Sequence, residues 1–188
     1  MRTLVITAFM SLDGVMEAPG GEPGHRSTGW TVRDIEHDPA VYELKGREQD
    51  EAGAMLLGRR SYEAFAPVWP TMTEDFAGYN SMPRYVVSTT LAEDDPRWPA
   101  TILRSLDDVA ALKETEGGPL IVHGSATLGH GLAEAGLVDR YHLLVFPVLL
   151  GAGKRLFSEA DRDKTMLDVR ESETYGNGIT KIVADVRR

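Results

Sequence analysis

The chain has 188 residues, 42% of them hydrophobic, with 29 acidic against 20 basic side chains and no cysteine. That length suits one domain spanning 1–188, and the apolar fraction is enough for a substantial core. The charge balance and the lack of any basic stripe argue against a nucleic-acid partner, and the absence of cysteine excludes disulfides, thiolate nucleophiles and zinc sites built on Cys. The longest apolar run, Leu143 to Leu150, contains Pro147 and is far shorter than the ~18 residues a membrane helix needs. The amino terminus runs straight into a strand-like segment without a signal peptide's apolar region, so the expected location is cytoplasmic.

In chain order, Leu4 to Met10 reads as a buried strand and Ser11-Leu12-Asp13-Gly14 as the turn after it. Residues 17–29, rich in Gly and Pro, read as a long surface loop of the kind that forms lids. Asp38-Pro39 predicts a helix start, with Asp as cap and Pro at the first helical position, and Val41, Leu44 and Glu48 follow at helical spacing. Ala54 to Leu57 predicts a second strand ending at Gly58, and Ser61 to Phe65 a short helix. Strands are expected at Arg84–Ser88, Thr101–Leu103, Leu120–His123 and Arg140–Phe146, with helices at Leu106–Glu114 and Ala126–Ala135, the latter closed by Gly136. Met166–Glu173 and Ile179–Val186 predict a closing hairpin around residues 175–178. Alternating strands and helices imply an α/β fold with a mostly parallel sheet covered on both faces, and ligands of such sheets bind beyond the carboxyl ends of the strands.

Three strand ends are alike in residue type, namely Gly58-Arg59-Arg60-Ser61, Ser88-Thr89-Thr90 and Gly124-Ser125-Ala126-Thr127-Leu128. Small residues at a strand-to-helix junction let a ligand approach free backbone amides, and the helix dipole there favours phosphate. A guanidinium adds two parallel hydrogen bonds to a phosphate. Each junction taken alone also fits an ordinary turn or helix cap. Among acids, Asp13 in the turn and Asp34 and Glu36 before the first long helix are the candidates for proton supply or substrate contact; a turn cap for Asp13 and a solvated loop acid for Asp34 are the alternative readings.

These segments, with Val87-Ser88, His123 to Leu128, Gly136 to Asp139 and Phe146 to Phe157, resemble the dihydrofolate-reductase superfamily in order and spacing. Within it the resemblance is greatest to the reductase domains of riboflavin biosynthesis, the carboxyl-terminal partners of bifunctional deaminase-reductases. The resemblance runs from about residue 3 to residue 186. It implies a three-layer dihydrofolate-reductase-like fold whose central sheet has about eight strands and ends in an antiparallel hairpin. It also implies NADPH as cofactor and a homodimer. Gly58, Arg59, Arg60 and Ser61 match the family segment that meets the adenosine 2′-phosphate and pyrophosphate. Ser88 and Thr89 match the edge beside the adenine ribose, and Gly124, Ser125, Ala126, Thr127 and Leu128 the pyrophosphate turn. Ala8, Phe9 and Met16 would lie near the nicotinamide. The implied reaction is reduction of a small heterocycle, as in 5-amino-6-(5-phosphoribosylamino)uracil reduction. Dihydrofolate reduction and a non-catalytic nucleotide-binding module are the alternatives. Dihydrofolate reduction would need a carboxylate on the first long helix facing the ring, where Glu43 and Glu48 stand. No deaminase segment precedes the reductase-like one, so the chain matches at most the reductase half.

Other motifs fail. Gly151-Ala152-Gly153-Lys154 lacks the earlier glycine of a P-loop, since Val148 stands there, and Arg155 replaces the needed hydroxyl residue, so a structural turn is expected. The five histidines show no metal-binding spacing, so no metal is expected, and His123 is read as packed or substrate-facing. The apolar run beside Pro147 suggests a sheet border and a dimer contact across Phe146–Leu150.

Overall fold

The computed structural model describes residues 1–93, 96–157 and 163–188. Its elements are β1 (Leu4–Ser11), α1 (Trp30–Arg33), α2 (Pro39–Glu51), β2 (Ala54–Gly58), α3 (Arg59–Phe65), α4 (Ala77–Ser81), β3 (Arg84–Val87), β4 (Thr101–Leu103), α5 (Leu106–Lys113), β5 (Leu120–His123), α6 (Ala126–Glu134), β6 (Arg140–Phe146), β7 (Leu167–Thr174) and β8 (Thr180–Val186). The strands form one eight-stranded sheet in the order β4-β3-β2-β5-β1-β6-β8-β7. The first six in that order are mutually parallel; β8 runs antiparallel to β6, and β7 to β8. This is the mostly parallel sheet with a closing hairpin that the sequence implies.

Alternation along the strands builds two faces. Leu4, Ile6 and Ala8 of β1 point toward α5 and α6, where they join Val109, Leu132 and Val122 in one core cluster. The opposite face carries two separate clusters. Met55, Leu57, Val86 and Ile121 pack under Tyr62 of α3 and Tyr79 of α4. Leu144, Phe146 and Val183 pack under Trp30, Val41 and Leu44 of α1 and α2. Local signals account for the helix starts. The Asp38 carboxylate accepts from the Ala40 amide with Pro39 at the first helical position, and Ser105 with Asp108 forms a reciprocal cap on α5.

Two expectations change. β6 lies inside the sheet, between β1 and β8, so Pro147 stands beyond a strand end and not on a sheet border. Phe146 is wholly buried and Leu150 nearly so, while Pro147 and Leu149 are exposed, so the run divides between core and surface. The short helices α1 and α4 and a 3-10 turn at Trp69–Thr71 have no counterpart among the elements expected from sequence.

Candidate active site and nucleotide cradle

The carboxyl ends of β2, β5 and β3 meet at one edge, where the first junction is tied to the last. The Gly58 amide donates to the Ser125 hydroxyl at 2.9 Å, which itself donates to the His123 carbonyl at 2.9 Å. The Ser125 amide donates to the Ser61 hydroxyl at 2.9 Å. Gly124 and Ser125 both take left-handed backbone, with φ of 56° and 64°. Ser125 in that region costs roughly 1–3 kcal/mol, which the three hydrogen bonds offset. The double left-handed turn starts α6 with Ala126, Thr127 and Leu128 in its first turn, where helical amides lack internal partners. Ala126 and Leu128 are buried, so they offer a ligand only backbone, whereas Thr127 is exposed.

The hydroxyls divide into two groups. Those of Ser61 and Ser125 shape the junction, and that of buried Ser88 accepts from the Thr90 and Leu91 amides. Thr89 and Thr127 remain exposed. Arg59 donates to Glu63 at 2.8 Å and to the Thr90 hydroxyl at 2.6 Å, bracing the loop after β3, while Arg60 is exposed beside it. Arg104, which no sequence signal singles out, donates to the Ser88 and Leu91 carbonyls, both at 2.9 Å, and fixes the same loop. Two guanidinium groups, two exposed hydroxyls and the α6 amides on one edge form a donor set suited to a phosphorylated nucleotide.

The predicted acids differ in setting. The Asp13 carboxylate accepts from the Ser11 hydroxyl at 2.6 Å and from the Leu150 and Gly151 amides at 3.1 and 2.8 Å. The Ser11 bond foremost, with the two amides, holds its pKa at about 2. Such a group is ionised at neutral pH and has no proton to give; its place is that of an anchor joining the first turn to 150–151. Asp34 caps the end of α1 in the open. Ala8 and Met16 are buried in the α5/α6-side core, and Phe9 is half-buried on the opposite face. Loop 17–29 folds down on residues 150–154. Arg26 donates to the Leu150 carbonyl, His25 meets the Ala152 carbonyl, and Glu17 accepts from the Lys154 amide. Gly153 is a turn glycine, as expected, with φ of 131° and a would-be Cβ 2.6 Å from Val15.

Between the two apolar clusters on the α2 face lies a buried polar cluster. The β1 side chain facing it is Thr7, level with His123 on β5 and His142 on β6. Glu48 of α2 sits at its centre, 1% exposed. It accepts from the Thr7 hydroxyl at 2.7 Å, the Tyr79 hydroxyl at 3.0 Å, His142 Nδ1 at 3.0 Å and Lys45 Nζ at 3.2 Å. Lys45 also donates to the Thr7 hydroxyl. Burial pushes the Glu48 carboxyl up, but the Lys45 charge and the His142 hydrogen bond outweigh it, and its pKa is held at about 2. Burial pushes His123 down to about 3, so it is neutral. Its Nε2 is buried without a hydrogen-bond partner among the described residues, 4.0 Å from Glu48 and walled by the rings of Trp69 and Tyr79. The signal for Glu48 was in the sequence: it completes the Val41–Leu44 buried stripe of α2, where an unpaired acid would be expelled.

Among the described residues no group of His, Cys, Asp and Glu could hold a metal ion. No described helix is long and apolar enough to cross a membrane. A hollow of about 480 Å³ lies far from this edge, at the amino ends of β1 and β6, lined by residues such as Arg2, Asp139 and Asp185. Its charges are paired with one another, as in Arg140–Asp185 at 2.5 Å and Arg170–Asp185 at 2.7 Å, so it offers little to a ligand.

Comparison with known proteins agrees with this architecture. YyaP, an uncharacterized protein of Bacillus subtilis (strain 168), is 26% identical over 97% of this chain and 94% of its own length. A crystallised Shewanella sp. PV-4 protein named for riboflavin biosynthesis superposes with a TM-score of 0.78 at 19% identity, covering 99% of both chains. A pyrimidine reductase-like protein from Corynebacterium diphtheriae gives 0.68 at 15% identity, over 99% of this chain and 92% of that one. Dihydrofolate reductase from Enterococcus faecalis, complexed with NADP(H) and a compound named RAB-propyl, gives 0.60 at 14% identity, over 99% and 97%. The fold is therefore dihydrofolate-reductase-like. The family model of the RibD C-terminal domain matches residues 2–181, and the chain belongs to that family.

Proposed function

We propose that the chain is a cytoplasmic, NADPH-dependent reductase of a small heterocyclic substrate. The observation that carries this reading is the tied junction of Gly58–Ser61 with Gly124–Leu128, beside Arg59 and Arg60, next to a buried polar cluster built on the middle of β1 and the end of β5. The complex of the Enterococcus dihydrofolate reductase with NADP(H) on the same fold supports it. Arg60 with Thr89 would hold the 2′-phosphate and ribose, and the α6 amides with Thr127 the pyrophosphate. Phe9 would border the nicotinamide on the α2 side, with Ala8 and Met16 supporting it from the core. When bound, the cofactor supplies a hydride. The protein's part is to orient the ring, exclude water and furnish a proton. Asp34 stays a proposal for substrate contact at the open end of α1. Asp13 joins the proposed site as the anchor of its rim.

The test is to follow NADPH absorbance with the ribosylaminouracil intermediate and with dihydrofolate in parallel. Steady oxidation with the uracil compound supports the reading; turnover of dihydrofolate alone, or of neither, overturns it. A homodimer belongs to the same proposal, with light scattering at micromolar concentration as its check: a monomer refutes it.

A further inference from the structure

Resting on the reductase reading, a second inference concerns the adenosine end of the proposed cofactor. Val87 of β3 lies level with Leu103 of β4, so Ser88 and Arg104 leave the sheet side by side at its carboxyl edge. No described residue from 88 to 100 belongs to a helix or strand. A link of that kind has many conformations, and a ligand that had to order it would lose affinity to the ordering. Its first four residues are nevertheless held. The Ser88 hydroxyl accepts from the Thr90 amide at 3.3 Å and the Leu91 amide at 3.0 Å, and the Leu91 side chain is buried. Arg104 closes the same turn from its carbonyl side. Its Nη1 carries two N–H groups, which go to the Ser88 and Leu91 carbonyls, both at 2.9 Å. One planar group therefore spans both ends of the turn, while Thr89 and Thr90 at the tip stay exposed. The backbone of Arg104 is fixed as well: its amide donates to the Asp108 carboxylate at 2.8 Å, at the capped start of α5. The Nη2 nitrogen is engaged by Glu93 at 3.2 Å, which leaves the guanidinium poorly placed to grip a phosphate itself.

We propose that Arg104 is a positioning residue for nucleotide binding: it holds the 88–91 turn in its finished shape, with Thr89 presented to the cofactor ribose, and acts through the Ser88 and Leu91 carbonyls without touching the ligand. The two roles open to an arginine at this edge differ in what they predict. A guanidinium on the 2′-phosphate acts by charge, separates NADPH from NADH, and is replaced in part by lysine. A guanidinium that bridges two carbonyls acts by its planar fork. It serves the adenosine that both cofactors share, so its loss weakens both alike. Lysine keeps the charge but has no rigid fork with which to fix two carbonyls at once. A turn held before the ligand arrives spares the cofactor the cost of ordering it, and that saving is what Arg104 contributes.

The experiment measures NADPH affinity by fluorescence, and NADH affinity by competition, for the full chain as wild type, Arg104→Met and Arg104→Lys. Arg104→Met should lose about tenfold on both cofactors, with the ratio of the two affinities within about twofold of the wild-type ratio. Arg104→Lys should recover little of that loss. A fall confined to NADPH and restored by lysine would make Arg104 a phosphate ligand and overturn the proposal. A lowered Tm with both affinities unchanged would overturn it too, since the residue would then serve the fold alone. Should Arg104→Met fail to fold, hydrogen exchange on the wild type decides. The Thr90 and Leu91 amides must be protected in the free chain, and protection that arises only with NADPH overturns the proposal. A wild type that binds neither cofactor sinks the reductase reading and this role with it. A wild type that binds them, beside an Arg104→Met variant that binds them equally well, sinks the role of Arg104 alone.

Discussion

Replacing Glu48 by alanine tests the energetics of the polar cluster. The carboxylate takes four donors, and its removal leaves Lys45 charged and largely buried, with the Tyr79 and Thr7 hydroxyls and His142 Nδ1 each short of an acceptor. Breaking a buried pair from one side costs about 3–5 kcal/mol, a large share of the ~5–15 kcal/mol that holds a domain folded. Equilibrium urea unfolding should therefore show a loss in that range for Glu48→Ala. Adding Lys45→Met should recover part of it, giving a coupling of about 2 kcal/mol in the double-mutant cycle. The pH dependence has a fixed sign. The folded pKa of Glu48 is held at about 2, below the ordinary value of 4.5, so its contribution is present above the unfolded value. It is lost as pH falls from about 5 toward 2. Wild-type stability should therefore drop more steeply over that range than that of Glu48→Gln, whose side chain does not titrate. A loss under about 1 kcal/mol for Glu48→Ala, with identical acid limbs for wild type and Gln variant, would refute the reasoning.

Two further variants probe the cradle and its rim. Gly124→Val puts a branched side chain at φ of 56°, with Cβ about 3.0 Å from the Ser61 hydroxyl. The backbone strain alone costs roughly 1–2 kcal/mol, and NADPH affinity should fall more than about tenfold while circular dichroism stays that of a folded chain. Normal NADPH binding would reduce Gly124 to a turn residue. The Asp13 carboxyl, followed by carbon NMR through an acid titration, should titrate near 2 and stay ionised at neutral pH. A midpoint above about 5, past the usual carboxylate range, would make it a proton donor again. Asp13→Asn should lose about 1–2 kcal/mol of stability by weakening its bonds to the 150–151 amides.

The strands, their order of type and the closing hairpin were legible because alternation and short apolar runs dictate buried strands whatever the tertiary context. The junctions at Gly58 and Gly124 were legible too, since small residues after a strand mark close backbone approach. What each hydroxyl does there was not. Ser61, Ser88 and Ser125 look like ligand donors in sequence, and only the fold shows them turned inward on neighbouring amides. Arg104 was hidden because its partners are carbonyls 13 and 16 residues away. Pro147 misled because a proline near a strand suggests an edge, whereas here it follows the last residue of an inner one. The polar cluster was half visible. Glu48 was seen on the helical stripe, but Thr7, Lys45, Tyr79, His123 and His142 come from five elements, β1, α2, α4, β5 and β6, and no local spacing links them.

NADPH binding at the tied junction is the central claim, and calorimetric titration of NADPH and NADH into the wild type and Arg60→Ala tests it most directly. Arg59 is already engaged by Glu63 and Thr90, so Arg60 should carry more of the 2′-phosphate discrimination. The prediction is one NADPH site per chain and NADH weaker by about 10- to 100-fold, the loss of a charge-assisted hydrogen bond of about 1.5–3 kcal/mol, with Arg60→Ala closing most of that gap. Equal affinities for the two cofactors in the wild type, or no heat from either, would contradict it.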